Sequence, residues 1–310
     1  MRHGNTMEVM ADIELKDLLA EVRRIEVVSK RRVTDMMAGN YSSAFRGAGV
    51  EFHEVREYVP GDDPRTVDWN VTARLGRPYV KKFVDERQLT VVFLLDLSAS
   101  MRSGFGVWTA RQAAARVCAS IGLSAAKCDD QVGLIAFSGG VDKYVRPERG
   151  TRHILRIIRD ALALRGSGRA TDISAVLEFA GRVIRRRAVV FLVSDFLSAG
   201  WERSLTPFSF KHDLVAVRLK GPELGPLPRA MLRLVDPETD EIRVLDATDP
   251  EVRRAHEEAV LGWERRCRNA FQRADVDLLD ITVTREPGRD LVTKPILSFF
   301  SMRQRRGCRT

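Results

Sequence analysis

Two short runs constrain this chain more than anything else in it: TVVFLLD at residues 90–96 and AVVFLVSD at residues 188–195. Each is continuously apolar, rich in β-branched residues and ends in an aspartate. A strand that alternates polar and apolar residues has one wet face. A strand with no alternation must be covered on both faces, and that happens almost only in parallel sheets flanked by helices. The segments around the two runs carry the helical period. WTARQAAARVCASIGLSAAKC (108–128), TRHILRIIRDALAL (151–164) and ISAVLEFAGRVIRR (173–186) read as helices. QVGLIAFS (131–138) and HDLVAVRLK (212–220) read as further strands, and VDKYVRP (141–147) as an edge strand. A β-α-β succession of this kind predicts an α/β fold, a doubly wound and mainly parallel sheet with helices on both faces.

On either side of that block the rhythm changes. Residues 12–37 form an amphipathic helical pattern, with Gly39 and Asn40 suited to cap its end. Residues 45–88 follow, with strand-like EFHEVREYV and PYVKKFVDE around a PGDDP turn and a short helix in RTVDWNVTARL. After residue 220, two strand-like runs flank the turn DPETD and predict a hairpin. PEVRRAHEEAVLGWERRCRNAFQRA reads as a long charged helix, VDLLDITV as a last strand and DLVTKPILSFFSMRQRR as a last helix. The expected organisation is an N-terminal segment at 12–87, a central α/β domain at 88–220 and a C-terminal extension at 221–305, with the sheet running on into VDLLDITV.

Composition removes several classes. With 44% hydrophobic residues among 310, a large core can be buried. The net charge of +9 arises from 51 basic residues mixed with 42 acidic ones, which reads as a solvated Arg-rich surface before it reads as a nucleic-acid site. Cys118, Cys128, Cys267 and Cys308 form no CxxC pair and no zinc spacing, and they suit a reducing compartment. No run approaches the roughly 18 apolar residues that span a bilayer, and MRHGNTMEVMADIELKD is no signal peptide. A cytoplasmic protein is expected. There is no GxSxG elbow and no GxxxxGK[ST] loop, and His3, His53, His153, His212 and His256 have no ligand spacing.

The chemistry gathers at the strand ends. Ligands of open α/β sheets bind beyond the carboxyl ends of the strands. There Asp96 and Asp195 need a counter-charge, Ser98 and Ser100 offer hydroxyl oxygens, and Thr171 in the loop RGSGRATD offers another. Oxygen donors with few charges suit Mg²⁺, with Mn²⁺ or Ca²⁺ as alternatives. DLSAS resembles the DxSxS signature of von Willebrand factor A-type domains, where it forms a metal-ion-dependent adhesion site. The resemblance implies metal ligation by Ser98 and Ser100, and by Asp96, Thr171 and Asp195 directly or through water. It also implies an anionic sixth ligand from a protein partner.

The stretch GAGVEFHEVREYVPGDDPRTVDWNVTAR, followed by PYVKKFVDER and DLSASM, is similar to the bacterial domain-of-unknown-function 58 family over about residues 12–300. Members resemble von Willebrand factor A domains and are typically encoded beside MoxR-type AAA+ ATPases. Some carry N-terminal transmembrane helices. This sequence shows none and is expected to match the short soluble form. The resemblance implies a non-enzymatic adaptor that works with such an ATPase to remodel or assemble a client complex, and it implies no reaction.

Two other classes stay open at this level. The carboxylates at 51–68 could join Asp96 and Asp195 in a metal-assisted hydrolase, although the closely interleaved Arg56, Arg65 and Arg74 favour simple pairing across a turn. As a partner-facing surface, that segment would use Glu51, Arg56, Asp62, Asp63, Arg65, Asp68 and Trp69. A nucleic-acid-binding protein rests only on the net charge and the tail RQRRGCR.

Overall fold

The computed structural model describes residues 35–46, 54–59, 67, 69–82, 88–102, 104, 106–167, 170–285 and 290–307. In chain order the elements are α1 (Asp35–Arg46), β1 (Glu54–Glu57), α2 (Trp69–Leu75), β2 (Tyr79–Lys82), β3 (Thr90–Asp96), α3 (Ala110–Lys127), β4 (Gln131–Phe137) and β5 (Val141–Glu148). They continue with α4 (Thr151–Ala163), α5 (Ile173–Val183), β6 (Val189–Ser194), α6 (Glu202–Lys211) and β7 (Asp213–Lys220). The last are β8 (Met231–Val235), β9 (Ile242–Asp246), α7 (Pro250–Arg273), β10 (Asp277–Thr282) and α8 (Thr293–Gly307).

Six strands form the central sheet in the order β10-β7-β6-β3-β4-β5. Every neighbouring pair is parallel except β4 with β5, and β5 lies at the edge expected of VDKYVRP. The pleat divides β3 between two cores. Val91, Phe93 and Leu95 join α3, α4 and α8 on one face, while Val92 and Leu94 join α5, α6 and α7 on the other. Residues 91–96 are fully buried, which is why the run tolerates no polar alternation. β10 closes the sheet beside β7 in register from Asp277↔Val215 to Thr282↔Lys220, so the C-terminal segment shares the central sheet.

One sequence expectation fails at α1. Gly39 and Asn40 do not cap a helix: they lie inside one that continues to Arg46. Packing overrides the local preference. Tyr41 is wholly buried, its hydroxyl donates to Asp130 Oδ2 at 3.1 Å, and its ring meets Phe45 and Phe300 at 5.2 and 5.9 Å. A glycine inside a helix costs about 1 kcal/mol, well below what a buried tyrosine contributes. The earlier part of that helical pattern, residues 12–34, lies outside the described residues.

Two ribbons stand apart from the main sheet. β1 and β2 pair antiparallel from Glu54↔Lys82 to Glu57↔Tyr79. β8 and β9 pair antiparallel from Met231↔Asp246 to Val235↔Ile242, as the DPETD turn requires. No helix among the described residues is long and apolar enough to cross a membrane.

Candidate metal centre

β3 and β6 are adjacent, with Leu95 opposite Val193. The chain leaves β3 toward β4 on one side and leaves β6 toward β7 on the other. This is the switch point of a doubly wound sheet, where the diverging loops leave a crevice. Asp96 and Asp195 therefore arrive side by side at the carboxyl end of the sheet, although 99 positions separate them in the chain.

Asp96 is wholly buried and both its oxygens are engaged. Oδ1 accepts the Ser98 N–H at 2.8 Å and Oδ2 accepts the Ser194 hydroxyl at 2.6 Å. The Ser194 oxygen in turn accepts the Phe196 N–H at 3.1 Å. Ser98 and Ser100 bring their hydroxyl oxygens within 3.0 Å of each other, and Ser100 also bonds Asp195. Asp195 Oδ1 accepts the Leu197 N–H at 3.0 Å. Nothing in the sequence singles out Ser194, because a lone serine between FLV and an aspartate looks like an ordinary strand end.

The direction of Asp195 is set by an unusual backbone. Phe196 has φ of 57°, a left-handed conformation that bulky residues rarely adopt. Strain of this sort costs about 1–3 kcal/mol and persists only where surroundings enforce it. Here Trp201 and Phe271 pack on the Phe196 ring at 5.2 and 5.1 Å, and Trp263 Nε1 donates to the Phe196 carbonyl at 2.9 Å.

The third loop is held against the first. A Cβ on Gly166 would stand 2.8 Å from the Leu97 carbonyl oxygen and 2.9 Å from Ser138 Cβ, so only glycine permits this approach. Asp172 then fixes the loop's exit: its N–H donates to the Ser138 carbonyl at 2.9 Å and its carboxylate caps α5 through the Ala175 N–H at 2.9 Å. Thr171 lies between these anchors. Its hydroxyl donates at 2.9 Å to Glu238 Oε1, from the tip of the β8–β9 hairpin. Nothing in the sequence points to Glu238, since DPETD reads only as a turn.

Burial and the charge of Asp195 push the Asp96 carboxyl up to about 7, against the opposing Ser194 hydroxyl and Ser98 N–H. Asp195 is also raised, chiefly by burial. Among the described residues, no lysine or arginine is among the groups that act on either carboxyl. Two neighbouring buried carboxylates without a counter-charge are costly. Their surroundings offer hydroxyl oxygens, and this hard, oxygen-only donor set fits a divalent cation of the Mg²⁺ kind. Among the described residues no three His, Cys, Asp or Glu side chains assemble into a metal-holding group, so such a cation would depend on hydroxyl donors as well as on the two aspartates.

Only residues 54–59 and 67 of the segment at 51–68 are described. Glu51, Asp62, Asp63, Arg65 and Asp68 lie outside the described residues. Arg56 sits opposite Val80 in the β1–β2 ribbon. Trp69 begins α2 and is 72% exposed. Close by, Glu57 pairs with Arg77 in a solvent-exposed contact at 3.2 Å.

The crevice lies between a central strand that leads into D-x-S-x-S and a neighbour followed by an aspartate, in an α/β protein with a doubly wound, mainly parallel sheet. The chain belongs to the DUF58 family: residues 54–266 match the family described as "Protein of unknown function DUF58". The uncharacterized protein Rv1480 of Mycobacterium tuberculosis is 28% identical over 220 residues, which cover 70% of this chain and 69% of that one. Among solved structures, the conserved hypothetical protein BatB of Bacteroides thetaiotaomicron aligns with 70% of this chain and 99% of its own, at 13% identity and a TM-score of 0.40. The SpRpn10 VWA domain aligns with 67% and 94%, at 12% identity and a TM-score of 0.35.

Proposed function

We propose that this chain is a metal-dependent protein-binding module. The observation that carries the reading is the pair Asp96 and Asp195, buried side by side at the switch point. They have no cationic partner among the described residues and stand beside the hydroxyls of Ser98, Ser100 and Ser194, with the Thr171 loop held nearby by Gly166. Asp96, Ser98, Ser100, Thr171 and Asp195 would hold Mg²⁺, or Mn²⁺ or Ca²⁺ in its place. With few carboxylates around it, the cation would keep positive charge and an open position for an anionic oxygen. The chain's residues contribute placement. Ser98 N–H and Ser194 aim Asp96, Phe196 aims Asp195, and Gly166 lets the Thr171 loop close up.

A crevice of about 620 Å³ opens onto Ser100 and Asp195. Leu197, Leu224, Leu234 and Val235 supply apolar walls, and Arg233, Glu223, Asp236 and Glu238 line it with charges of both signs. Such a lining suits an extended protein segment that presents one Asp or Glu among apolar neighbours. The family resemblance makes a MoxR-type AAA+ ATPase the partner, with the pair acting in the cytoplasm to remodel or assemble a client. On this reading the chain binds and does not catalyse: the serine hydroxyls serve as metal donors and not as nucleophiles.

The test uses purified wild-type protein and Asp96→Asn, each confirmed as folded by circular dichroism. Mg²⁺ binding is measured by calorimetry, and capture of the MoxR-type ATPase from the same organism is measured with Mg²⁺ and with EDTA. The reading expects Mg²⁺ binding and Mg²⁺-dependent capture by wild type alone. Equal capture in all four conditions would sink it.

A further inference from the structure

Glu238 is 67 positions from Thr171 in the chain, yet it accepts that residue's only hydroxyl proton. It projects from a hairpin whose tip is rigidly built. Asp236 Oδ1 accepts the N–H groups of Glu238 at 2.8 Å and Thr239 at 3.2 Å, and Asp236 N–H donates to the Glu241 carbonyl at 2.9 Å. The base is closed by Ala247 N–H to the Ala230 carbonyl at 3.0 Å. Between tip and base the ribbon is exposed, including Met231, Val235, Ile242 and Val244. The hairpin also forms one wall of the crevice that opens onto Asp195.

A hydroxyl has one proton and two lone pairs. Once the Thr171 proton is committed to Glu238, that oxygen has only lone pairs left to offer, which is the form a cation ligates. Glu238 adds negative charge near Asp195 and Asp236, and no described cation pairs with it. Docking of the tip brings the hairpin carboxylates Asp236 and Glu238 toward Asp195, and a bound cation would offset that repulsion.

We propose that Glu238 is an outer carboxylate of the metal centre: it orients Thr171 as a cation ligand, and it thereby links cation binding to docking of the β8–β9 hairpin. This rests on the metal-binding reading above and extends it to a segment outside the strand-end loops. Linkage is reciprocal, so a cation that favours the docked tip is itself favoured by it. The crevice wall would then be set in place by metal occupancy, before any partner arrives.

The experiment uses Mn²⁺ alone as the probe, with wild type, Glu238→Ala, Glu238→Gln and Asp96→Asn. Affinity is read from the electron paramagnetic resonance of free Mn²⁺. Docking is read from hydrogen exchange of the Glu238, Thr239 and Glu241 amides, with and without Mn²⁺. Loss of an outer carboxylate typically weakens metal binding by about 10–100-fold, and we expect Glu238→Ala to fall at the lower end of that range. Glu238→Gln keeps an acceptor for Thr171 without the charge and should fall between Ala and wild type. Mn²⁺ should slow exchange at the hairpin tip in wild type and leave it unchanged in Glu238→Ala. If Glu238→Ala binds Mn²⁺ as wild type does and metal leaves tip exchange unaltered, while Asp96→Asn has lost binding, the proposal fails and the metal site stands. If wild type itself binds no Mn²⁺, the metal reading fails and takes this inference with it.

Discussion

Replacing Asp96 with asparagine should stabilise the metal-free protein, and the gain should depend on pH in a definite way. The Asp96 carboxyl titrates at about 7 in the fold, against 3.8 ordinarily. Below pH 4 it is neutral whether the chain is folded or not, and it costs nothing. Between about 4 and 7 the unfolded chain releases the proton and the folded chain keeps it, so stability falls as pH rises. Above 7 the carboxylate is ionised in both states and the full cost remains, up to about 4 kcal/mol at 1.36 kcal/mol per pH unit. The asparagine has no proton to release, and its side chain can still accept the Ser98 N–H. In EDTA, the melting temperature of Asp96→Asn should therefore match wild type near pH 4. It should exceed it by up to roughly 8 °C at pH 8, taking about 2 °C per kcal/mol for a chain of this size. Saturating Mg²⁺ at pH 8 should reverse the order, because it stabilises by mass action only the protein that binds it. Thermal scans by circular dichroism at unit pH steps decide the matter. A difference between the two proteins that stays flat from pH 5 to 8 would refute the claim that Asp96 is buried as an uncompensated acid.

Two further outcomes follow from positions described above. Gly166→Ala should destabilise by about 1–3 kcal/mol, because the added carbon meets the Leu97 carbonyl and Ser138 and neither can move far. It should also weaken Mg²⁺ binding by displacing the Thr171 loop; calorimetry that finds unchanged affinity would separate the loop from the site. Asp280→Asn should cost about 3–5 kcal/mol in urea unfolding, since it strands Arg218. That guanidinium is fully buried and bonded twice to Asp280, at 2.7 and 2.9 Å. A loss below about 1 kcal/mol would mean that stacking on Trp263 suffices to hold the charge.

What can be read in advance follows the range of the interactions involved. The buried strands announce themselves because burial on both faces leaves a local signature, and Asp96 and Asp195 are visible as the polar residues that end those runs. Their adjacency comes from the strand order, which places β6 beside β3 and which no local pattern dictates. Ser194 escapes notice because its role depends on Asp96 in the next strand, and Glu238 because its partner lies 67 residues away. Neither contact leaves a pattern within a window of the sequence. At Gly39 and Asn40 local preference points to a helix end. Tyr41 overrules it through Asp130 and Phe300, which are distant in the chain.

Phe196 ties the site to the core in a way that affects how both can change. Glycine there would relieve the left-handed backbone but empty the space between Trp201 and Phe271, a loss of about 3–5 kcal/mol for a buried phenylalanine. Asparagine would suit the backbone and bring an amide into an aromatic cluster. No single replacement serves both needs, so the aim of Asp195 is inherited from the packing beneath it and not from the surface loop that carries it. Heating should therefore not loosen the cation pocket gradually ahead of the rest of the molecule. The pocket should keep its shape until the aromatic cluster gives way, and then vanish together with the fold.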